Sequence, residues 1–436
     1  MNGIEPYQKI RRGYALVLIL MICSVVELAA QNPTDSSPQE RLVKVGGEVR
    51  YRYEVDGRRV AEKGNDKFSD LHLLRTRANI TVTPSSDLQG TIVLQDSRAF
   101  GDEQNTLDGS ADFLDIHQAF FLLPDFLNTG VDVQVGRQEF GYANERLVGA
   151  VGWSNVGRSF DAIRLKRGEK WGSIDLFASR LGSSVSFDSL NLLNDFSSTN
   201  FYGLWSTVKF ADNHKGDFFA LFDNNTREIA QGIDSGSSIQ NRITAGTFLR
   251  GTLSPINYEA EFAWQGGSGR AGSDTLSSYA GIMIAGKVLY AQKSFKVGGL
   301  YTMLSGDDDP TDDQLQTFNT LFATNHKFYG YMDFFPGNSG SAGLQDIGLT
   351  SWLKVSDNAS IALDGHLFTT AVDVAGENAL GKEIDATFNY AYKTEGNPSL
   401  VTFTLGASLF LADNLMKGVV GGDTGWWGYL MVRAGL

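Results

Sequence analysis

Residues 43–54 read VKVGGEVRYRYE, and their polarity changes at almost every step. Val43, Val45, Val49, Tyr51 and Tyr53 take the odd positions, while Lys44, Glu48, Arg50, Arg52 and Glu54 take the even ones. In an extended chain successive side chains leave opposite faces, so this period of two gathers all the charge on one face of a strand. Residues 256–265, INYEAEFAWQ, repeat the pattern: Tyr258, Ala260, Phe262 and Trp264 stand opposite Asn257, Glu259, Glu261 and Gln265. The final ten residues, WGYLMVRAGL, do so again. A soluble sandwich would turn the apolar face toward a shared core. A membrane barrel turns it toward lipid and lines a water-filled lumen with the polar face. Runs of about ten residues are long enough to cross a bilayer when tilted.

The connections separate these possibilities. Short turns fall around 84–87, 124–130, 167–171, 211–216, 253–255, 291–295, 356–359 and 393–399. Long polar segments fall around 55–68, 97–113, 141–157, 181–200, 223–240, 266–278, 305–343, 369–380 and 411–424. Eight short and nine long connections imply 18 strands with both chain ends on the short-turn side, the arrangement of a bacterial outer-membrane barrel. The expected fold is therefore all-β: a transmembrane antiparallel β-barrel of about 18 strands, with long extracellular loops and short periplasmic turns. Segments 110–123 and 131–140 alternate least regularly, and a bulge is expected near Arg137. A barrel of this size is too wide for its own side chains to fill, so it should hold an aqueous channel.

The first 30 residues have the form of a secretory signal. Lys9, Arg11 and Arg12 precede an apolar stretch from Tyr14 to Val26, and Leu28, Ala29 and Ala30 offer a small-residue cleavage site. A short periplasmic tail, 31–42, and a barrel over 43–436 would follow. Cys23 is the only cysteine and lies inside the signal, so no disulfide or thiolate metal site is expected.

Catalytic motifs are missing. There is no G-x-S-x-G elbow, no phosphate-binding Walker loop and no H-E-x-x-H pair, and the five histidines are scattered. His117 with Asp115, or His366 with Asp364, would be no more than partial sites. No enzyme, cofactor or nucleic-acid partner is expected. Asp307, Asp308, Asp309, Asp312 and Asp313 could gather oxygens around Ca²⁺, but they lack the glycine and terminal glutamate of an EF-hand, and a solvated loop is the expectation.

Several stretches resemble the alginate-export outer-membrane porin family. VQVGRQEFGYANERLVGAVGWSNVGRSFDAIRL (133–165) is similar to its signature block. In the same order come GGEVRYRYE (46–54), LQDSRAFGD (94–102) with DIHQAF (115–120), NYEAEFAWQGG (257–267), SGDDDPTDDQLQTFNTLFATNHKFYGYMDFF (305–335) and GKEIDATFNYAY (381–392). The resemblance covers nearly all of 43–436. It implies a monomeric 18-stranded barrel in the outer membrane of a Gram-negative bacterium, with an electropositive constriction that passes an acidic polysaccharide. It also implies periplasmic export components as further partners, alongside the surrounding lipid.

The arginines fit such a constriction. Of 19 after the signal, 14 precede residue 181, although the chain as a whole carries a net charge of −13. Arg50, Arg52, Arg75, Arg77 and Arg164 sit on charged strand faces, while Arg98, Arg137, Arg146 and Arg158 flank loops that could fold inward. A guanidinium stays charged at any relevant pH and grips carboxylates with a planar fork. Arg50, Arg52, Arg75, Arg77, Arg98, Arg137, Arg158 and Arg164 are accordingly expected along the solute path. The competing reading pairs them with Glu48, Glu54, Asp96, Glu139 and Asp161, leaving open whether Asp161 holds Arg158 or Arg164. Tyr51, Tyr53, Phe262, Trp264, Trp426 and Tyr429 are expected in interfacial girdles or on the lipid face. Phe318, Phe322, Phe328, Tyr329 and Tyr331 are expected to pack within the longest loop. The function expected is passive, anion-selective passage of an acidic polysaccharide such as alginate; the alternative is a general or substrate-specific uptake porin for small solutes.

Overall fold

The computed structural model describes residues 42–58, 69–101, 114–183, 198–225, 228–229, 236–237, 240–269, 277–309, 311–335, 340–394 and 397–436. The expected signal, and the tail except Leu42, lie outside the described residues. Eighteen strands build the wall. In chain order they are β1 (Val43–Asp56), β2 (Ser69–Ser85), β3 (Leu88–Ala99), β4 (Leu114–Leu123), β5 (Val131–Gln138) and β6 (Phe160–Glu169). Then come β7 (Gly172–Ser183), β8 (Ser198–Ala211), β9 (His214–Asn225), β10 (Gln240–Leu253), β11 (Ile256–Gly269) and β12 (Ile282–Ala291). The last six are β13 (Phe295–Leu304), β14 (Leu344–Lys354), β15 (Ala359–Val374), β16 (Glu377–Thr394), β17 (Asn397–Ala412) and β18 (Thr424–Gly435). Each pairs antiparallel with the next. Pairing of β1 with β18, from Glu48↔Gly435 to Asp56↔Trp427, closes the ring and leaves no edge. At the seam Gly47 and Leu436 exchange backbone hydrogen bonds of 3.1 and 2.9 Å.

Alternation decides which way each strand faces. Outward positions such as Val45 and Leu349, each 72% exposed, form an apolar surface that only lipid can cover. Glu48, Arg50, Arg52 and Glu54 point inward and are buried, because the lumen is partly filled. The filling is two long connections folded into the barrel, residues 139–159 and, from the second, residues 318–335. Their tips meet at a single parallel bridge, Val148↔Phe322.

Apolar packing drives that inward fold. Phe140, Leu147 and Val148 of the first loop and Phe318, Tyr329, Met332 and Phe335 of the second are buried against inward wall aromatics Phe160, Phe177, Phe201, Trp205, Phe368 and Phe410. Burying each such side chain is worth about 1.5–3 kcal/mol, enough collectively to hold loops that would otherwise extend into solvent.

Two local expectations change. The connection read as a long polar segment at 369–380 is a two-residue turn, Ala375 (φ 53°) and Gly376 (φ 86°), because β15 and β16 run on past the polar stretch. Positive φ at both central residues matches the twist of a tight hairpin. The bulge expected near Arg137 lies instead in β4. The β3–β4 register shifts between Val93 and Leu94, leaving His117 as the extra residue. Arg137 keeps regular register with Asp161 and Ala119. Beside it Gly136 (φ 127°) is obligatory, since a Cβ there would meet the Ala119 carbonyl oxygen at 2.2 Å.

Candidate solute path through the barrel

Arg50, Arg52, Arg75 and Arg77 come from the inward faces of β1 and β2, with Arg50 directly across from Arg75. Their guanidinium groups reach the tip of the 139–159 loop. Arg50 donates to the carbonyl oxygens of Gly152 (2.7 Å) and Ser154 (2.9 Å), and Arg75 to the same two at 3.2 and 3.0 Å. Arg52 donates to Trp153 O at 2.6 Å and lies 4.0 Å over the Trp153 ring. Arg77 reaches Val156 O at 3.4 Å, and Gln95 beside it reaches the same oxygen at 2.8 Å. Carboxylates complete the set. Glu48 takes Arg75 at 2.6 Å and Arg433 at 2.5 Å, while Glu54 takes Arg52 at 2.7 Å. This cationic wall is therefore a cradle for a loop.

Arg158 leaves the same loop and ties it to the other. Its Nη1 donates to Phe322 O, to Ala323 O at 3.2 Å and to Gly149 O at 3.3 Å. Burial without a compensating anion lowers its pKa from the usual arginine value. Arg146 takes Glu261 at 3.1 Å beneath Tyr329 and Phe328. Burial opposes its charge, yet Tyr329 and Glu261 hold its pKa above the ordinary value. Arg164 faces inward and pairs with Asp175 at 2.8 Å. Asp161 holds neither Arg158 nor Arg164.

Arg98 and Arg137 do not line the lumen. Arg98 stands across from Leu74 on the outward face of β3 and pairs with Asp96. Arg137 stands across from Asp161, which is 61% exposed, whereas the next pair, Gln138 and Phe160, is buried inside. The sequence placed both arginines beside loops without fixing their parity against the inward residues.

A second stretch of wall, separated from the first by β17 and β18, is acidic. Asp346, Asp364, His366, Glu383 and Asp385 project inward from β14, β15 and β16. They receive the 305–343 loop: Met332 N–H donates to Glu383 at 2.8 Å, Tyr331 N–H to Asp385 at 3.4 Å and Tyr331 OH to Asp364 at 3.3 Å. His366 Nδ1 lies 2.9 Å from Asp346 and not against Asp364. His117 likewise bonds Glu139 at 2.6 Å, with Ser159 Oγ 3.4 Å from its other nitrogen, and not Asp115. Burial works against ionisation of Glu139, but His117 and Arg77 beside it bring its pKa below the usual carboxylate value. A hydroxyl, an imidazole and a carboxylate in a row suggest hydrolysis. This ring is buried, its carboxylate also serves Arg77, and the row stitches the loop to the wall. Tyr429 points inward against Trp153 (4.9 Å between rings), whereas Phe262, Trp264 and Trp426 face outward as expected.

Open space runs along the β9–β15 side. A cavity of about 480 Å³ near the periplasmic mouth is lined by Lys215, Arg250, Glu259, Lys287 and Lys296. A deeper one of about 160 Å³ shares Glu259 and Lys287 and reaches Lys327, Phe328 and Tyr331 of the loop. The cross-strand register explains the row: Lys215 faces Arg250, Arg250 faces Glu259, and Glu259 faces Lys287. Arg250 pairs with Asp217. Among the described residues no carboxylate lies within ion-pair distance of Lys215, Lys287 or Lys296. Counting arginines alone had passed these lysines over; the inward parity of Met283, Ala285 and Lys287 was the signal for one of them. Among the described residues no group of three metal-binding side chains occurs. Asp309 is capped by Thr311 through backbone N–H (3.0 Å) and hydroxyl (2.6 Å), which lowers its pKa.

Residues 41–413 match the alginate-export family. The chain belongs to that family. A search of curated proteins returned no sequence match. Solved barrels share the fold at low identity. A BenF-like porin of Pseudomonas fluorescens Pf-5 has TM-score 0.62 and 10% identity, over 90% of this chain and 98% of that one. OccAB1 of Acinetobacter baumannii has 0.61 and 13%, over 90% and 96%. OccK11 (OpdR) of Pseudomonas aeruginosa has 0.59 and 11%, over 90% and 96%. The protein is an outer-membrane β-barrel channel.

Proposed function

We propose that the channel passes anions selectively, and that its solute is an acidic polysaccharide of the alginate type. The observation that carries this is the lysine row. Lys215, Lys287 and Lys296 border open lumen with no carboxylate partner among the described residues, whereas the buried carboxylates Asp346, Glu383 and Asp385 lie beneath a loop and hold it. Unpaired cations in a narrow, low-dielectric passage lower the barrier for an anion and raise its local concentration. A polyuronate entering from the periplasm would meet them before the loops. Family membership supports an export role, and the wall arginines act behind the loops as a second, screened source of positive potential.

Reversal potentials in planar bilayers under a KCl gradient test the selectivity. The wild-type channel should prefer Cl⁻, and K215Q/K287Q/K296Q should lose most of that preference. An oligomer of mannuronate should block the wild-type current at lower concentration than a neutral oligosaccharide of equal length. Cation preference, or equal block by the neutral sugar, overturns the reading in favour of a small-solute uptake porin.

A further inference from the structure

Two opposite charges stand side by side in the lumen and leave each other unpaired. Glu259 of β11 and Lys287 of β12 are cross-strand partners. Both line the deeper cavity of about 160 Å³, and both also line the larger one at the periplasmic mouth. Neighbouring charges are matched: Arg250 pairs with Asp217, and Arg146 with Glu261. Among the described residues, however, the Glu259 side chain meets no cation within ion-pair distance and accepts no hydrogen bond, and Lys287 meets no carboxylate.

A cavity that served anions of any kind would be weakened by Glu259, whose charge repels them. The pair suits a solute that is anionic and also rich in hydroxyl groups. An ammonium donates and cannot accept, so it takes a carboxylate; an ionised carboxylate accepts and cannot donate, so it takes O–H groups. Directly opposed residues of an antiparallel pair have Cβ atoms about 4.5–5.5 Å apart, a spacing that lets both heads reach one sugar residue. The remaining lining agrees. Thr350 adds a hydroxyl, and Phe328 of the loop adds apolar surface for the carbon-bound hydrogens of a sugar ring.

We propose that Glu259 and Lys287 form a uronate subsite. Lys287 takes the carboxylate of one sugar residue, and Glu259 accepts hydrogen bonds from its hydroxyl groups against Phe328. The subsite rests on the reading of the channel as a passage for an acidic polysaccharide, and it adds the group that recognises the sugar. Glu259 thereby separates polyuronates from other polyanions, which bring charge without hydroxyl groups.

The test is current block in planar bilayers by three oligomers of equal length, made of mannuronate, mannose or glutamate. The full-length wild type is compared with E259L, whose heat-modifiable mobility shows an intact barrel. Block by both sugars should weaken roughly tenfold in E259L, because both lose their hydroxyl contacts. Block by oligoglutamate should strengthen, because a repelling charge is gone. E259Q, which keeps an acceptor oxygen, should fall between wild type and E259L for the sugars. If E259L leaves sugar block unchanged, or strengthens block by mannuronate as it does by glutamate, Glu259 only repels anions; the subsite is then overturned while the polysaccharide reading stands. Equal block of the wild type by the two sugars is instead a failure of that reading, and the mannose oligomer alone then decides whether Glu259 takes hydroxyl groups.

Discussion

Arg158 offers the sharpest test of how the lumen is filled. Its guanidinium bridges Gly149 O of its own loop to Phe322 O and Ala323 O of the other, and among the described residues it meets no carboxylate. A hydrogen bond to a charged donor is worth about 1.5–3 kcal/mol net. One nitrogen serves all three acceptors, so the clamp is bounded by one or two such bonds, roughly 3 kcal/mol. R158M keeps the bulk and removes the donors. Separation of the two loops should then become about 100-fold more favourable, since each 1.4 kcal/mol is a factor of ten. Single-channel recordings should show the variant spending correspondingly more time in a larger, noisier conductance state. R158K, which retains one donor group, should fall between the two. Cleavage within 305–343 by added protease should accelerate in the same order. If R158M conducts with wild-type amplitude and noise, the apolar contacts and the backbone hydrogen bonds joining Leu147 and Gly149 to Phe322 hold the loops without it, and the clamp has no role.

Two other perturbations probe the wall. Glu48 receives Arg75 and Arg433 beside Arg50, so E48Q leaves three cations facing one another across β1, β2 and β18. Loss of the buried anion should cost about 3–5 kcal/mol; the temperature at which heat-modifiable mobility is lost should drop, and an unchanged temperature would mean the arginines are satisfied by loop carbonyls alone. G136A places a Cβ against Ala119 O at a φ of 127° and should cost roughly 1–3 kcal/mol, read as a lower yield of folded barrel in refolding from urea.

Strand number, closure and the identity of inward and outward faces were legible because parity is local. VKVGGEVRYRYE announces its two faces without reference to any other segment, and 18 strands follow from the rhythm of short and long connections. What parity could not deliver is the content of the lumen. Whether 139–159 folds inward depends on more than its neighbour Phe160: it needs Phe201 of β8 and Phe322 of the second loop in the same cluster, and no short window of sequence contains these together. Arg98 and Arg137 were misplaced for a related reason. Each lies at a strand end beside a loop, where one residue of register separates lumen from lipid. Lys215, Lys287 and Lys296 are isolated cations on three separate strands, and only the closed ring brings them around one cavity.

The two lumenal walls also explain the sequence of the loops they hold. A peptide group has two polar ends, and the barrel uses a different wall for each. Arginines on β1 and β2 accept no hydrogen bonds, so the segment against them must offer carbonyl oxygens; Gly152, Trp153, Ser154 and Val156 do so. Carboxylates on β15 and β16 donate none when ionised, so the segment against them must offer donors; the Tyr331 and Met332 N–H groups serve β16 and the Tyr331 hydroxyl serves Asp364 of β15. Exchanging the loops' positions would set carbonyls against carboxylates and N–H groups against guanidinium ions, leaving both walls unsatisfied at about 1–3 kcal/mol for each buried group. The transverse division of charge thus dictates which loop docks where. Because each of these walls is occupied by peptide, the proposed solute path runs instead along the open cavity where Lys215, Lys287 and Lys296 stand with Arg250 and Glu259.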